Sequence, residues 1–251
     1  MAIRKTTAVA KPNPTSLANI RSQLQAEVQN LKEQIGKPSG NKIKLKDKTF
    51  VFPDGSVDEG PINVVVIDFV SRNKFYATKY NPNDPSPPDC FAVSRKISEM
   101  KPSPDSPSPQ AASCAECPLN QFGSDGKGKA CKNTRFLAVI PPDEVSPTAE
   151  LMTIEVSPTA VKNFDATVST VEKLYGLPPI GVSLDVSFNP NEDYSTLIFS
   201  NPQENSNLEA HFARRADAET ILMAEPDFTQ AAAPAPTPKS RARVAPTRKV
   251  A

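Results

Sequence analysis

From residue 42 the chain alternates apolar and polar positions. Ile43 and Leu45 stand between lysines in Lys42-Ile43-Lys44-Leu45-Lys46, and Phe50-Val51-Phe52 precedes the turn signal Pro53-Asp54-Gly55. A period of two predicts strands whose side chains point to opposite faces. Ile62 to Val70 is a nearly unbroken apolar run, which predicts a central strand covered on both sides. Ser71-Arg72-Asn73 reads as a turn, and Lys74 to Tyr80 as the next strand. Strand character resumes at Arg135–Ile140 and Glu150–Val156. Residues 182–200 read as a hairpin, with Asn189-Pro190-Asn191-Glu192-Asp193 as its turn. Phe50, Phe52, Phe69 and Phe136 are most simply core.

Helical spacing appears in three places. Leu17, Ile20, Leu24, Val28, Leu31 and Ile35 recur every three or four residues, predicting a helix over 15–36. Its narrow apolar stripe either docks on the domain or pairs with a second chain. Ser157-Pro158 signals a helix start and Gly176 its end, with Val161, Phe164, Val168, Val171 and Leu174 as the buried stripe. A last helix is predicted from Asn205 to Met223, with Leu208, Phe212 and Ile221 inside. Between the strands, 81–134 is an irregular insert rich in proline. Residues 1–14 and the Ala/Pro/basic segment 229–251 read as disordered. The expected fold is α+β, mostly β. A small OB-like barrel, or a strongly twisted antiparallel sheet, would span 42–228 with helices flanking it.

Composition narrows the function. The 251 residues include 27 prolines, 9 glycines, no tryptophan and one histidine, His211. Chemistry needing several imidazoles is therefore excluded. No phosphate-cradling glycine loop or nucleophile elbow is present, so no enzyme is expected. No apolar run approaches membrane length. The opening residues lack a secretory h-region, which makes the cytoplasm the expected location. Charge is unevenly spread: 137–228 carry 15 acidic and 4 basic groups, while 229–251 carry 5 basic and none acidic. The basic parts could meet phosphates. The acidic block could meet a basic protein or simply be solvated.

All 4 cysteines fall between residues 90 and 131. Cys114 and Cys117 form a C-x-x-C knuckle, and Cys90 and Cys131 flank it. Four thiolates suit one tetrahedral Zn2+, a structural ion that would order an insert with few core residues. Reduced thiols without metal, a disulfide pair and a redox C-x-x-C are the competing readings.

Single-stranded nucleic acid is held by a basic groove with aromatic platforms. The candidates are Lys44 and Lys46, on one strand face with Lys42 and Lys48; Arg72, Lys74, Tyr76, Lys79 and Tyr80; and Phe122, Lys127, Lys129, Lys132 and Arg135. Lysine alternating with isoleucine is equally what an ordinary solvated strand face looks like.

Three short runs carry a resemblance. They are Pro87-Pro88-Asp89-Cys90-Phe91-Ala92, then Cys114-Ala115-Glu116-Cys117-Pro118-Leu119-Asn120-Gln121-Phe122-Gly123-Ser124, then Gly128-Lys129-Ala130-Cys131-Lys132-Asn133. With Lys101-Pro102-Ser103 they resemble tailed-phage proteins, some of them similar to single-stranded DNA-binding proteins. A zinc segment inserted in a barrel is also similar to the T-even helix-destabilising family, which uses three cysteines and one histidine where this chain has four cysteines. The resemblance implies a barrel with a zinc insert at 81–134 that binds single-stranded DNA in phage replication or recombination, inside the host cytoplasm. Replication or recombination proteins are its implied partners. Members commonly end in an acidic tail, whereas this chain ends basic. The alternative is an oligomeric interaction or structural virion protein, with a purely structural zinc and self-association through the N-terminal helix.

Overall fold

The computed structural model describes residues 19–20, 41–78 and 86–224. Apart from Asn19 and Ile20, which are helical, the helix predicted over 15–36 lies outside the described residues, as do segments 1–14 and 229–251. In chain order the strands are β1 (Lys44–Lys46), β2 (Thr49–Val51), β3 (Val57–Asp58), β4 (Ile62–Phe75), β5 (Cys90–Ser94), β6 (Lys132–Ile140) and β7 (Met152–Val156). Helix α1 (Val161–Tyr175), strands β8 (Val182–Phe188) and β9 (Leu197–Glu204), and helices α2 (Leu208–Ala213) and α3 (Arg215–Met223) follow. No described helix is long and apolar enough to cross a membrane.

The fold is α+β and mostly β. β1, β2 and β3 form a small antiparallel meander. The large sheet runs β7-β6-β4-β8-β9, with β5 added to β4. Its end strands β7 and β9 do not pair, so the sheet stays open and the expected barrel is not formed.

β4 is the axis of the sheet. It is 14 residues long and does not turn at Ser71-Arg72-Asn73, where a turn is predicted from sequence. Those three residues are buried and paired on both edges, to β6 and to β5. Polar side chains imitate a turn in sequence, but two flanking strands supply every backbone partner and keep the segment extended. β8 holds the first part of the second edge and β5 the last part.

Both faces of β4 are covered, as the apolar run predicts. Val64 and Val66 pack with Leu137, Ile154, Leu184 and α1 residue Phe164. Val65 and Ile67 pack on the other face with Ala138, Ile140 and the α3 residues Ala218 and Leu222. A bulge between Val66 and Asp68 then reverses the parity. Beyond it Phe69 turns to the α1 face and Val70 to the α3 face. One extra residue thus decides which later side chains of β4 meet which layer.

The predicted first strand is shorter than its pattern. It stops at Lys46, and Asp47 and Lys48 make the hairpin turn with φ 49 and 57. Lys48 therefore leaves the face it would share with Lys44 and Lys46, and its N–H donates to Ser195 Oγ at 3.2 Å. Gly60 closes the meander with φ +81, where a Cβ would lie 2.9 Å from the Phe50 ring. Any side chain there is strained and collides with a fully buried phenyl group.

α1 ends as predicted, with Gly176 in the left-handed region and its N–H on Glu172 O. Phe164 and Val171 are buried, but Leu174 is 69% exposed rather than part of the stripe. The helix also shields the sheet edge at β9. Asn163 Nδ2 donates to Leu197 O at 3.0 Å and Tyr175 Oη to Pro202 O at 2.7 Å. Thr167 Oγ1 lies 3.2 Å from Phe199 O. Helix steps of four advance about 6 Å, close to two strand residues. Asn163 and Thr167, one such step apart, therefore meet the carbonyls of Leu197 and Phe199 on an edge that would otherwise invite another strand, and the longer Tyr175 reaches Pro202 farther on. Asn163→Ala and Tyr175→Phe are each expected to lower unfolding free energy by about 1 kcal/mol in urea titrations.

The predicted last helix breaks at Arg214. Leu208 and Phe212 lie on its exposed side, and His211, Arg214, Ala218 and Leu222 are buried. Arg214 ties the break to the loop after β6 through Ser146 O and Ala149 O. Asn207 and His211 reach Pro142 O and Glu144 O of the same loop.

Candidate metal centre and nucleic-acid interface

The insert is built on the end of β4. Cys90 opens β5 opposite Phe75, and Cys131 immediately precedes β6, whose Lys132 stands opposite Lys74. β5 and β6 lie on the two edges of β4, so these cysteines arrive beside Phe75 from opposite sides. Residues 103–108 run along β5 through Ser103 N to Phe91 O (2.8 Å) and Ser108 N to Asp89 O (2.7 Å). Ser106 Oγ accepts from Phe91 N at 3.0 Å. The proline-rich stretch is thus held by serines and backbone rather than left loose.

The C-x-x-C knuckle folds over this end. Pro118–Asn120 is a 3-10 turn, and Cys131 N donates to Leu119 O at 2.9 Å. Three asparagines brace it. Asn133 Nδ2 reaches Asn73 Oδ1 (2.6 Å) and Asn120 Oδ1 (2.9 Å), and Asn120 Nδ2 reaches Cys114 O (2.7 Å). Sequence reading missed all three, because amides carry no pattern until the fold brings them together.

Cys90, Cys114, Cys117 and Cys131 are buried and free of disulfides. They line one cavity of about 10 Å³ with Asn73, Phe75 and Leu119. That is about the room of a single water-sized body. Burial pushes the Cys131 thiol up to about 12, and the neighbouring Cys114, Cys117 and Cys90 add to the shift against a small opposing effect of Lys129. Burial raises Cys114 as well, against a hydrogen bond from Asn73. Thiolates packed together out of water repel one another, and only a cation among them, whose attraction outweighs both burial and repulsion, would let them ionise together. Among the described residues no set of three or more His, Cys, Asp or Glu side chains is already arranged to hold a metal ion. Neutral thiols have no force drawing them to a centre. Four buried thiols on one cavity are a donor set that would suit one tetrahedral ion such as Zn2+.

The predicted nucleic-acid residues do not form one surface. Arg72 is buried, with its guanidinium 3.6 Å from the Phe136 ring centroid and donating to Leu222 O at 3.0 Å. It caps the C-terminus of α3, where a cation is favoured. Burial brings this arginine down to about 10, against an opposing pull from Glu155. Lys74 is spent on Glu155 at 2.6 Å. Arg135 is buried in a two-pronged pair with Asp165 of α1, at 3.1 and 2.8 Å. Lys79 and Tyr80 lie outside the described residues. Lys44 and Lys46 are exposed on the small meander. Tyr76 is half-buried just past β4. On the knuckle, Phe122 is 81% exposed, Lys127 and Lys132 are exposed, and Lys129 is half-buried. Lys132 Nζ lies 3.0 Å from Asp125 Oδ2 and from Lys129 O.

No protein-family model, curated protein or solved structure matches this chain.

Proposed function

We propose that the chain is a non-enzymatic single-stranded DNA-binding protein of DNA replication or recombination, whose cysteine knuckle is ordered by one structural zinc. One observation carries this reading. The braced knuckle holds a phenyl ring, Phe122, 81% exposed, and the same segment carries Lys127, Lys129 and Lys132. An exposed ring gains little in water but stacks on any unpaired base, and the lysines supply sequence-blind attraction to phosphate. Burial of Arg72 and Arg135 and the pairing of Lys74 narrow the interface to the knuckle, with Tyr76 beside it and Lys44 and Lys46 as more distant cations.

The test is titration of the full chain with fluorescent oligo-dT and with matched duplex at two salt concentrations, with zinc measured on the same sample. Single strand is expected to bind better than duplex and to weaken as salt rises. Phe122→Ala is expected to weaken single-strand binding by about 1–3 kcal/mol, the usual worth of one stacked base. Equal affinity for duplex, or an unchanged Phe122→Ala variant, would defeat the proposal.

A second reading is an oligomeric interaction or structural virion protein with a purely structural zinc. It draws on a different surface: Leu174 and Phe212 are 69% and 58% exposed, on helices that both contact the Pro179–Gly181 turn. Salt-independent self-association in light scattering, without oligonucleotide binding, would favour it.

A further inference from the structure

A groove of about 620 Å³ separates the end of β4 from the knuckle. Its lining includes Phe75 and Tyr76 at the end of β4, Leu119 and Asp125 of the knuckle, and Lys132 at the start of β6. Phe75 and Leu119 also line the cysteine cavity, so the inner wall of the groove is the outer wall of the candidate metal centre. The groove is large enough for one nucleotide, and its lining combines ring surface with a cation and a carboxylate.

We infer that this groove takes one unstacked nucleotide and selects bases that carry an exocyclic amino group over thymine. The inference rests on the single-strand reading above. Ser124 also lines the groove, but its hydroxyl is engaged, facing Leu119 O at 2.8 Å and Gln121 O at 2.7 Å and accepting from Ala130 N at 3.0 Å. Tyr76 and Thr78 add hydroxyls to the lining, and Asp125 and Lys132 are its charged groups. Asp125 uses Oδ2 for Lys132, and among the described residues Oδ1 has no hydrogen bond. A carboxylate only accepts. Cytosine offers it the N4 amino group. Thymine presents O4 at that position, where two acceptors repel, and its one donor on this edge is the ring N3–H rather than an exocyclic amino group. The ammonium of Lys132, exchanging Asp125 for a phosphate, completes the site as the base's amino group replaces it on the carboxylate. Both pairing partners are exposed, so the exchange needs no change in the fold.

The experiment compares the full chain with oligo-dC and oligo-dT of equal length near neutral pH. Oligo-dC is expected to bind about fivefold more tightly or better, the lower end of what one base-edge contact discriminates. Asp125→Asn, whose amide both donates and accepts, is expected to bring the two affinities within about twofold, with zinc content and circular dichroism unchanged. Equal affinities in the wild type, or a preference that survives in Asp125→Asn, overturn the inference while leaving single-strand binding intact. Failure to bind either strand overturns the single-strand reading and this inference with it.

Discussion

Cys117→Ser is expected to lower bound zinc from about one per chain to almost none, and to unfold residues 86–131 while β6 to β9 stay folded. Beyond the β5 ladder on β4 and the hydrogen bonds along it, the insert has little to hold it. Among the described residues its own apolar cluster is Ala92, Met100 and Cys114. The asparagine and serine bonds that brace it each contribute about 1 kcal/mol net. Ordering more than 40 residues costs far more than those bonds return. A structural zinc supplies about 10–16 kcal/mol of apparent binding energy near neutral pH, and in a site of this kind that is folding energy. The sheet has separate support, with β4 and β6 between two apolar clusters and β8 packed into the first. Elemental analysis and hydrogen exchange on one sample check both halves. Wild-type protein without zinc, with knuckle amides that stay protected in chelator, would refute the metal centre. Because Phe75 and Leu119 border the groove, chelation is also expected to weaken oligonucleotide binding.

Glu155→Ala is expected to destabilise the domain by about 3 kcal/mol near pH 7, the cost of leaving a poorly exposed charge unpaired. The Glu155 side chain is 18% exposed, with Lys74 at 2.6 Å and Lys42 at 2.7 Å. Burial alone would raise this carboxyl, but Lys74 and then Lys42 outweigh it and bring it down to about 2. The sign follows from linkage. A carboxylate lower in the folded than in the unfolded state adds stability above its unfolded value, and loses it as pH falls toward the folded one. The gap between 4.5 and about 2 corresponds to roughly 3 kcal/mol. The difference between wild type and Glu155→Gln in urea titrations should therefore shrink between about pH 5 and pH 2. A difference that stays constant over that range would remove the ion pairs from the stability of the sheet. Removing the charges together, with Glu155→Leu and Lys74→Met, should recover much of the loss, because no lone charge is then left buried.

Periodicity made most of the strands legible. The run from Ile62 reads as a strand covered on both faces because both faces are apolar. Gly176 marks the end of α1 because a residue without Cβ takes the left-handed turn most easily. The polar triplet Ser71-Arg72-Asn73 misleads for a physical reason. Its side chains favour a turn in isolation, and only β5 and β6 on either edge make extension the better state. β5 was illegible, since Cys90-Phe91-Ala92-Val93-Ser94 is short and surrounded by prolines. At the candidate site, clustering of the cysteines is visible in the sequence, and the structure places all four on one cavity. The cationic list fared differently. Arg72, Lys74 and Arg135 look alike in sequence to Lys127 and Lys132, yet the first three point into packed layers and the last two into solvent.

The amino-acid sequence by itself determined the mostly β composition, the central apolar strand, the place of α1 and the confinement of every thiol to one insert. These are local properties, written in spacing and residue type. Only the tertiary structure decided that the sheet stays open, that β4 runs through its apparent turn, and that one bulge redirects its later side chains. It also decided which cations are exposed and that the cysteine cavity shares a wall with a groove. Those outcomes depend on contacts between residues tens of positions apart, and no local pattern records which partner will be there.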